Sequence, residues 1–130
     1  MRRGFGENKN KKSTESNSNF YKKLIEKAFF AQQNNKISEA EIIYKELFRL
    51  KIMEPTLYFY YGLLLESQKN INEAINVYLA AIDYFPKDPN FYNKLALLKK
   101  LKGKYEESKN LFLKSISLDS NFEFGYVNLA

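Results

Sequence analysis

Residues 55–88 read PTLYFYYGLLLESQKNINEAINVYLAAIDYFPKD, and this stretch decides the fold. Tyr58, Tyr61, Gly62 and Leu65 fall at helical spacing after Pro55, a residue suited to a first helical position because its missing N–H would be unpaired there anyway. Ala74, Tyr78, Ala81 and Ile82 form one stripe of a second helix, expected from about Asn72 to Tyr84, with Asn76 and Asp83 on its other face. The first helix is expected from Pro55 to about Lys69. Small residues beside large ones, Gly62 and Ala74 beside Tyr58 and Tyr78, let two helix backbones approach while the rings fill the flanking space.

The pattern recurs at a fixed step of 34 residues in both directions. Ala40, Ala74 and Ser108 keep that step, as do Tyr44, Tyr78 and Phe112, and Ala28, Gly62 and Ala96. Leu24, Tyr58, Tyr92 and Tyr126 share a register, and Ala130 falls where the next small residue belongs. Self-similarity at this period marks an array of helix pairs, each unable to bury its apolar stripe alone.

The residues that carry this register resemble the tetratricopeptide repeat family over roughly residues 20–130. The second unit is most similar, with Tyr58, Tyr61-Gly62, Leu65, Ala74, Tyr78, Ala81 and Pro86. The third departs at Ser108, Ser115 and Lys99, and the first has Lys27 before Ala28 and Ile52 where a closing proline is expected. The resemblance implies an all-α, right-handed α-solenoid of stacked antiparallel helix pairs. Its expected divisions are a flexible basic tail at 1–19, repeats at 20–54, 55–88 and 89–122, and the start of a fourth at 123–130. Asn35 and Gly103 suit the left-handed residue that ends a helix, Lys69 at the same place should be strained or differently wound, and Asp88-Pro89 makes a capped helix start.

Composition narrows the function. The 130 residues contain neither histidine nor cysteine, which removes the usual nucleophile–base pairs, thiol chemistry and nearly all zinc sites. Gly4 and Gly6 lack the strand and helix context of a phosphate loop. No cofactor and no metal is therefore expected, and Glu106-Glu107 read as a favourable helix start rather than as a catalytic pair. No apolar stretch is long enough to span a bilayer and no secretory signal is evident, so no membrane partner is expected, and a cytoplasmic location is taken only as the default. In the tail, Arg2, Arg3, Lys9, Lys11 and Lys12 against Glu7 and Glu15 leave +3, half of the formal +6. Few apolar groups offset the entropy of ordering there.

In the family the first helices of the pairs line a concave groove. Here those helices carry apolar residues beyond the packing stripe: Ile25 and Phe29, then Phe59 and Leu63, then Leu97. Lys22, Gln32, Gln33, Glu66, Asn90, Asn93 and Lys100 surround them. The second helices show a narrow stripe with Glu39, Lys45, Glu46 and Arg49 elsewhere, which reads as a solvated outer wall. Two readings stay open for Phe29, Phe59, Leu63 and Leu97, namely packing between adjacent first helices or the floor of a peptide groove. The carboxylate clamp of chaperone-binding relatives is not reproduced. Its places hold Ile25, Phe29, Tyr60, Asn90 and Lys94, of which Lys94 alone fits.

The leading expectation is a non-catalytic scaffold that binds a protein or peptide. A second is the N-terminal accessory module of a longer enzyme, because the Arg-Gly-Phe-Gly start with its lysines resembles that of some bacterial tetratricopeptide proteins in which a sulfotransferase or glycosyltransferase domain follows. The third, a nucleic-acid binder, rests on Lys94, Lys99, Lys100, Lys102 and Lys104 with Tyr92 and Tyr105, and the scarcity of arginine counts against it. Phe122, Tyr126, Leu129 and Ala130 open a fourth unit without a polar cap, so the expectation is a longer solenoid or self-association through that end.

Overall fold

The computed structural model describes the backbone of residues 2–119 and side chains from residue 17 onward. Six helices occupy this span: α1 (Arg2–Gln33), α2 (Ile37–Arg49), α3 (Pro55–Ser67), α4 (Ile71–Tyr84), α5 (Pro89–Leu101) and α6 (Tyr105–Leu118). Among the described residues there is no strand, and the fold class is the all-α solenoid of helix pairs. The chain divides into two compact units, Met1–Leu57 and Tyr58–Ala130.

In the first unit α1 packs on α2 through Ile25, Ala28, Ala31, Ala40, Tyr44 and Leu47, all buried. The Tyr44 hydroxyl donates to Gln32 Oε1 at 2.9 Å, so the ring ends on a polar partner at the surface. Ser18 Oγ donates to Glu54 Oε1 at 3.2 Å. Residues 2–19, expected as a flexible tail, instead continue α1 as helix. Composition measures whether a segment can pay for its own ordering, but a helix already nucleated by packing over residues 20–33 gains one hydrogen bond for each residue added, and no proline stands in the way.

In the second unit α3, α4, α5 and α6 enclose Tyr58, Leu64, Leu65, Ala74, Tyr78, Ala81, Phe91, Ala96 and Phe112. Gly62 lies against Tyr78. A methyl group at Gly62 would come closer than 3.0 Å to Cε1, Cζ and Oη of that ring. Ser108 stands where the other pairs have alanine, and its buried hydroxyl donates to the Ala96 carbonyl at 2.8 Å. Ser115 Oγ likewise donates to the Pro89 carbonyl at 3.0 Å, so neither serine costs an unpaired group.

The turn chemistry follows the repeat. Asn35, Lys69 and Gly103 are all left-handed, with φ of 63°, 62° and 79°. Each is followed by a residue whose N–H reaches back five places, Lys36 to Ala31, Asn70 to Leu65 and Lys104 to Lys99. Asp88 caps α5 by accepting from the Asn90 N–H at 3.0 Å, with Pro89 just inside. Where the closing proline is missing, the end of α2 is rebuilt. Lys51 turns left-handed at φ 55° and Ile52 N–H bonds Leu47 O, whereas α4 ends at Phe85, with φ -129° and ψ 64°, before Pro86.

The strain at Lys69 gives a quantitative expectation. A side-chain-bearing residue pays roughly 1–2 kcal/mol in this conformation, and glycine escapes that cost at a smaller loss of unfolded-state entropy. Lys69→Gly should therefore stabilise the protein by about 0.5–1 kcal/mol in urea unfolding followed by circular dichroism. Gly103→Lys should lose a similar amount.

Candidate functional site

The first helices of the second unit carry matching stripes. On α3, Phe59, Leu63 and Glu66 are spaced at i, i+4 and i+7, and on α5 Asn93, Leu97 and Lys100 repeat that spacing 34 residues later. Phe59, Leu63 and Leu97 are each half-buried, so part of every side chain faces solvent. Phe59 rests edge-on against Tyr60 and Phe91, with ring centroids 6.2 and 6.5 Å apart.

A polar bridge ties the two helices. Lys94 Nζ lies 3.4 Å from Glu66 Oε2 and 5.9 Å from the centre of the Phe59 ring. Both side chains of the pair are about four-fifths buried, at 21% and 23% exposure, so they are shielded more than a surface pair. The same Glu66 oxygen accepts from the Tyr78 hydroxyl at 2.5 Å. Burial, and after it this hydrogen bond, holds the Tyr78 hydroxyl protonated well above the ordinary phenol range. Tyr78, Glu66 and Lys94 thus form a chain from the core side of α4 through α3 to α5.

Asn93 stands apart from this network. It is 8% exposed, yet its Oδ1 has no hydrogen-bond partner. Leaving a buried acceptor unpaired costs roughly 1–3 kcal/mol, so the group needs a physical account. Among the described residues, Asn93 Oδ1 is the one buried side-chain polar atom left in this condition.

The residues expected to line a groove are not equivalent. Ile25 lies in the core and Asn93 is largely withdrawn from solvent. Gln32 accepts the Tyr44 bond, and Phe29 is half-buried. Lys22, Asn90 and Lys100 are exposed, and Glu66 is engaged twice. The apolar run Ile25–Phe29 signals a wide helical face without saying which edge of it is covered, and the structure puts Ile25 in the core. Two contributors went unnamed: Phe91, buried against Phe59, Tyr78 and Phe85, and Tyr78 as the hydrogen-bond donor to Glu66. The signal for the second was present, since Tyr44 and Gln32 keep the same twelve-residue offset as Tyr78 and Glu66. The outer wall also differs from expectation, because Ile42, Leu79 and Leu113 are exposed on the second helices.

Among the described residues no group of histidine, cysteine, aspartate or glutamate side chains could hold a metal ion, and no helix is long and apolar enough to cross a membrane. The expected fourth unit, with Phe122, Tyr126, Leu129 and Ala130, lies outside the described residues.

Residues 62–103 match a family model described as TPR repeat, and residues 89–122 match one described as tetratricopeptide repeat. Comparison with curated proteins finds none that matches. Solved structures share the fold. The Yersinia enterocolitica type III secretion chaperone SycD, in complex with a peptide of the translocator YopD, aligns at a TM-score of 0.74 and 21% identity over 85% of this chain and 85% of that one. The first TPR of Spaghetti (RPAP3), bound to the HSP90 peptide SRMEEVD, gives 0.76 and 19% over 86% and 89%. PcrH in complex with the chaperone binding region of PopB gives 0.73 and 16% over 84% and 91%. With a 34-residue register, three helix pairs closed by the same left-handed turn and two repeat models matched within residues 62–122, the chain carries tetratricopeptide repeats.

Proposed function

We propose that the protein is a non-catalytic interaction scaffold that holds a peptide or helix of a partner protein against the α3–α5 face. The observation that carries this reading is Asn93, a buried acceptor without a donor one helical turn before the half-buried Leu97 on α5. A bound segment would bring a backbone or amide N–H to Asn93 Oδ1 and apolar side chains to Phe59, Leu63 and Leu97. The amide needs only its soft final torsion to turn toward an incoming donor. Three of the similar structures hold peptides or a chaperone-binding region, which supports a polypeptide as occupant. The lack of histidine and cysteine in the chain supports a binding rather than a chemical role.

Magnitudes favour several anchors acting together. Covering one large apolar side chain contributes roughly 1.5–3 kcal/mol, whereas a micromolar complex needs about 8 kcal/mol net of ordering costs. The test begins with peptides selected from a random display library against the whole chain. Phe59→Ser with Leu63→Ser should lower affinity for such peptides about a hundredfold, roughly tenfold per anchor, while the circular dichroism stays helical. Undiminished binding by the folded double variant would place the peptide site elsewhere.

A further inference from the structure

We propose that the turn between α5 and α6 is a docking tip for the surface of an anionic membrane. Helix α5 ends at Leu101 and α6 begins at Tyr105, and these are the two most exposed large apolar side chains described in the second unit, at 71% and 67%. Between them run Lys102, Gly103 and Lys104, with Lys100 just before, and all of these are exposed. Gly103 takes its left-handed φ of 79° with open space where a side chain would stand.

The local charge is positive after its partners are counted. Lys99 lies 3.5 Å from Glu107, which removes both from the balance. Glu106 opposes the tip from the first turn of α6, and Glu73 stands in the first turn of α4. Lys102 donates to Asn72 Oδ1. Against Glu106 and Glu73, this end of the unit therefore sets Lys100, Lys102 and Lys104, with Lys69 exposed in the preceding turn.

The combination of prongs and cations selects the occupant. A nucleic acid would satisfy the lysines and stack on Tyr105 but would leave Leu101 against phosphate or water. A folded partner would need its own cavity to receive two protruding side chains. A lipid surface offers both at once, because headgroups rearrange around lysines while the acyl boundary accepts Leu101 and the ring of Tyr105, whose hydroxyl stays in the wet layer. Such a contact lies on the membrane and does not cross it. It differs from the expectation of no membrane partner, which rested on the absence of a spanning segment.

The test is sedimentation of the whole chain with vesicles of phosphatidylcholine alone and of equal parts phosphatidylcholine and phosphatidylglycerol. Binding is expected to the anionic vesicles only and should weaken as added salt shortens the screening length. Lys100→Gln, Lys102→Gln and Lys104→Gln together should lower it about a hundredfold, at about fivefold per lysine. Leu101→Ser with Tyr105→Ser should lower it about tenfold at the same net charge. All five positions are exposed, so both variants should keep the wild-type circular dichroism. Equal binding to neutral vesicles, or unchanged binding by either variant, would overturn the proposal. So would a lysine-dependent affinity for single-stranded DNA or polyglutamate in a chain that ignores anionic vesicles.

Discussion

Gly62→Ala should destabilise the protein by about 2 kcal/mol, although alanine is the better helix former. Replacing a glycine inside a helix ordinarily gains about 1 kcal/mol. Here the added methyl would fall within 3.0 Å of Cε1, Cζ and Oη of Tyr78, and overpacking of this kind costs up to about 3 kcal/mol. The ring has little freedom to yield. Tyr78 is fully buried, lies 6.3 Å from Phe91, and is tied by its hydroxyl to Glu66. The equivalent place in α1 holds Ala28, so the α1–α2 pair is built around a methyl and the α3–α4 pair around its absence. Tyr78→Leu supplies the control, since the smaller side chain makes room for the methyl. In urea unfolding, Gly62→Ala should cost at least 1 kcal/mol less in the Tyr78→Leu background than alone. Additive losses would mean that some contact other than Tyr78 fixes the glycine.

That glycine shows what a sequence reading reaches. The 34-residue register named Gly62 and Tyr78 as neighbours across a helix pair, and it named Asn35, Lys69 and Gly103 as equivalent turn positions. Fixed spacing transmits such facts because every pair must close with the same geometry. The register is blind to partial burial. Ile25 and Phe59 hold equivalent positions, yet one is in the core and the other is half-buried. A wide apolar helical face has two edges, and which edge is covered depends on neighbours that spacing alone does not identify. Leu79 and Leu113 fall in one register on the second helices and are exposed all the same. Polar satisfaction was equally hidden. Nothing in the letters distinguishes Asn93, whose acceptor is unpaired, from Asn90, whose backbone N–H lies in a helix cap.

The unpaired amide leads to the second large effect. Asn93→Leu should make the free protein more stable and the complex weaker. Leucine branches at the same atom as asparagine with the same number of heavy atoms, is bulkier because it ends in two methyl groups, carries no polar atom, and prefers the helix. It would remove a buried acceptor that costs roughly 1–3 kcal/mol while unpaired, so a gain of about 1 kcal/mol in urea unfolding is expected after some repacking strain. A selected peptide that donates to Oδ1 would lose that bond and meet a larger side chain, so its affinity should fall about tenfold to a hundredfold. The opposite signs are the diagnostic. A residue kept for packing loses stability and binding together when replaced, whereas an anchor held at a cost to the free protein gains the first and loses the second. Asn93→Asp extends the argument, because a carboxylate retains the acceptor but adds a charge beside Leu97, at a position only 8% exposed. That variant should lose stability relative to Asn93. If Asn93→Leu leaves peptide affinity unchanged, the amide is not an anchor and the α3–α5 face binds through Phe59, Leu63 and Leu97 alone.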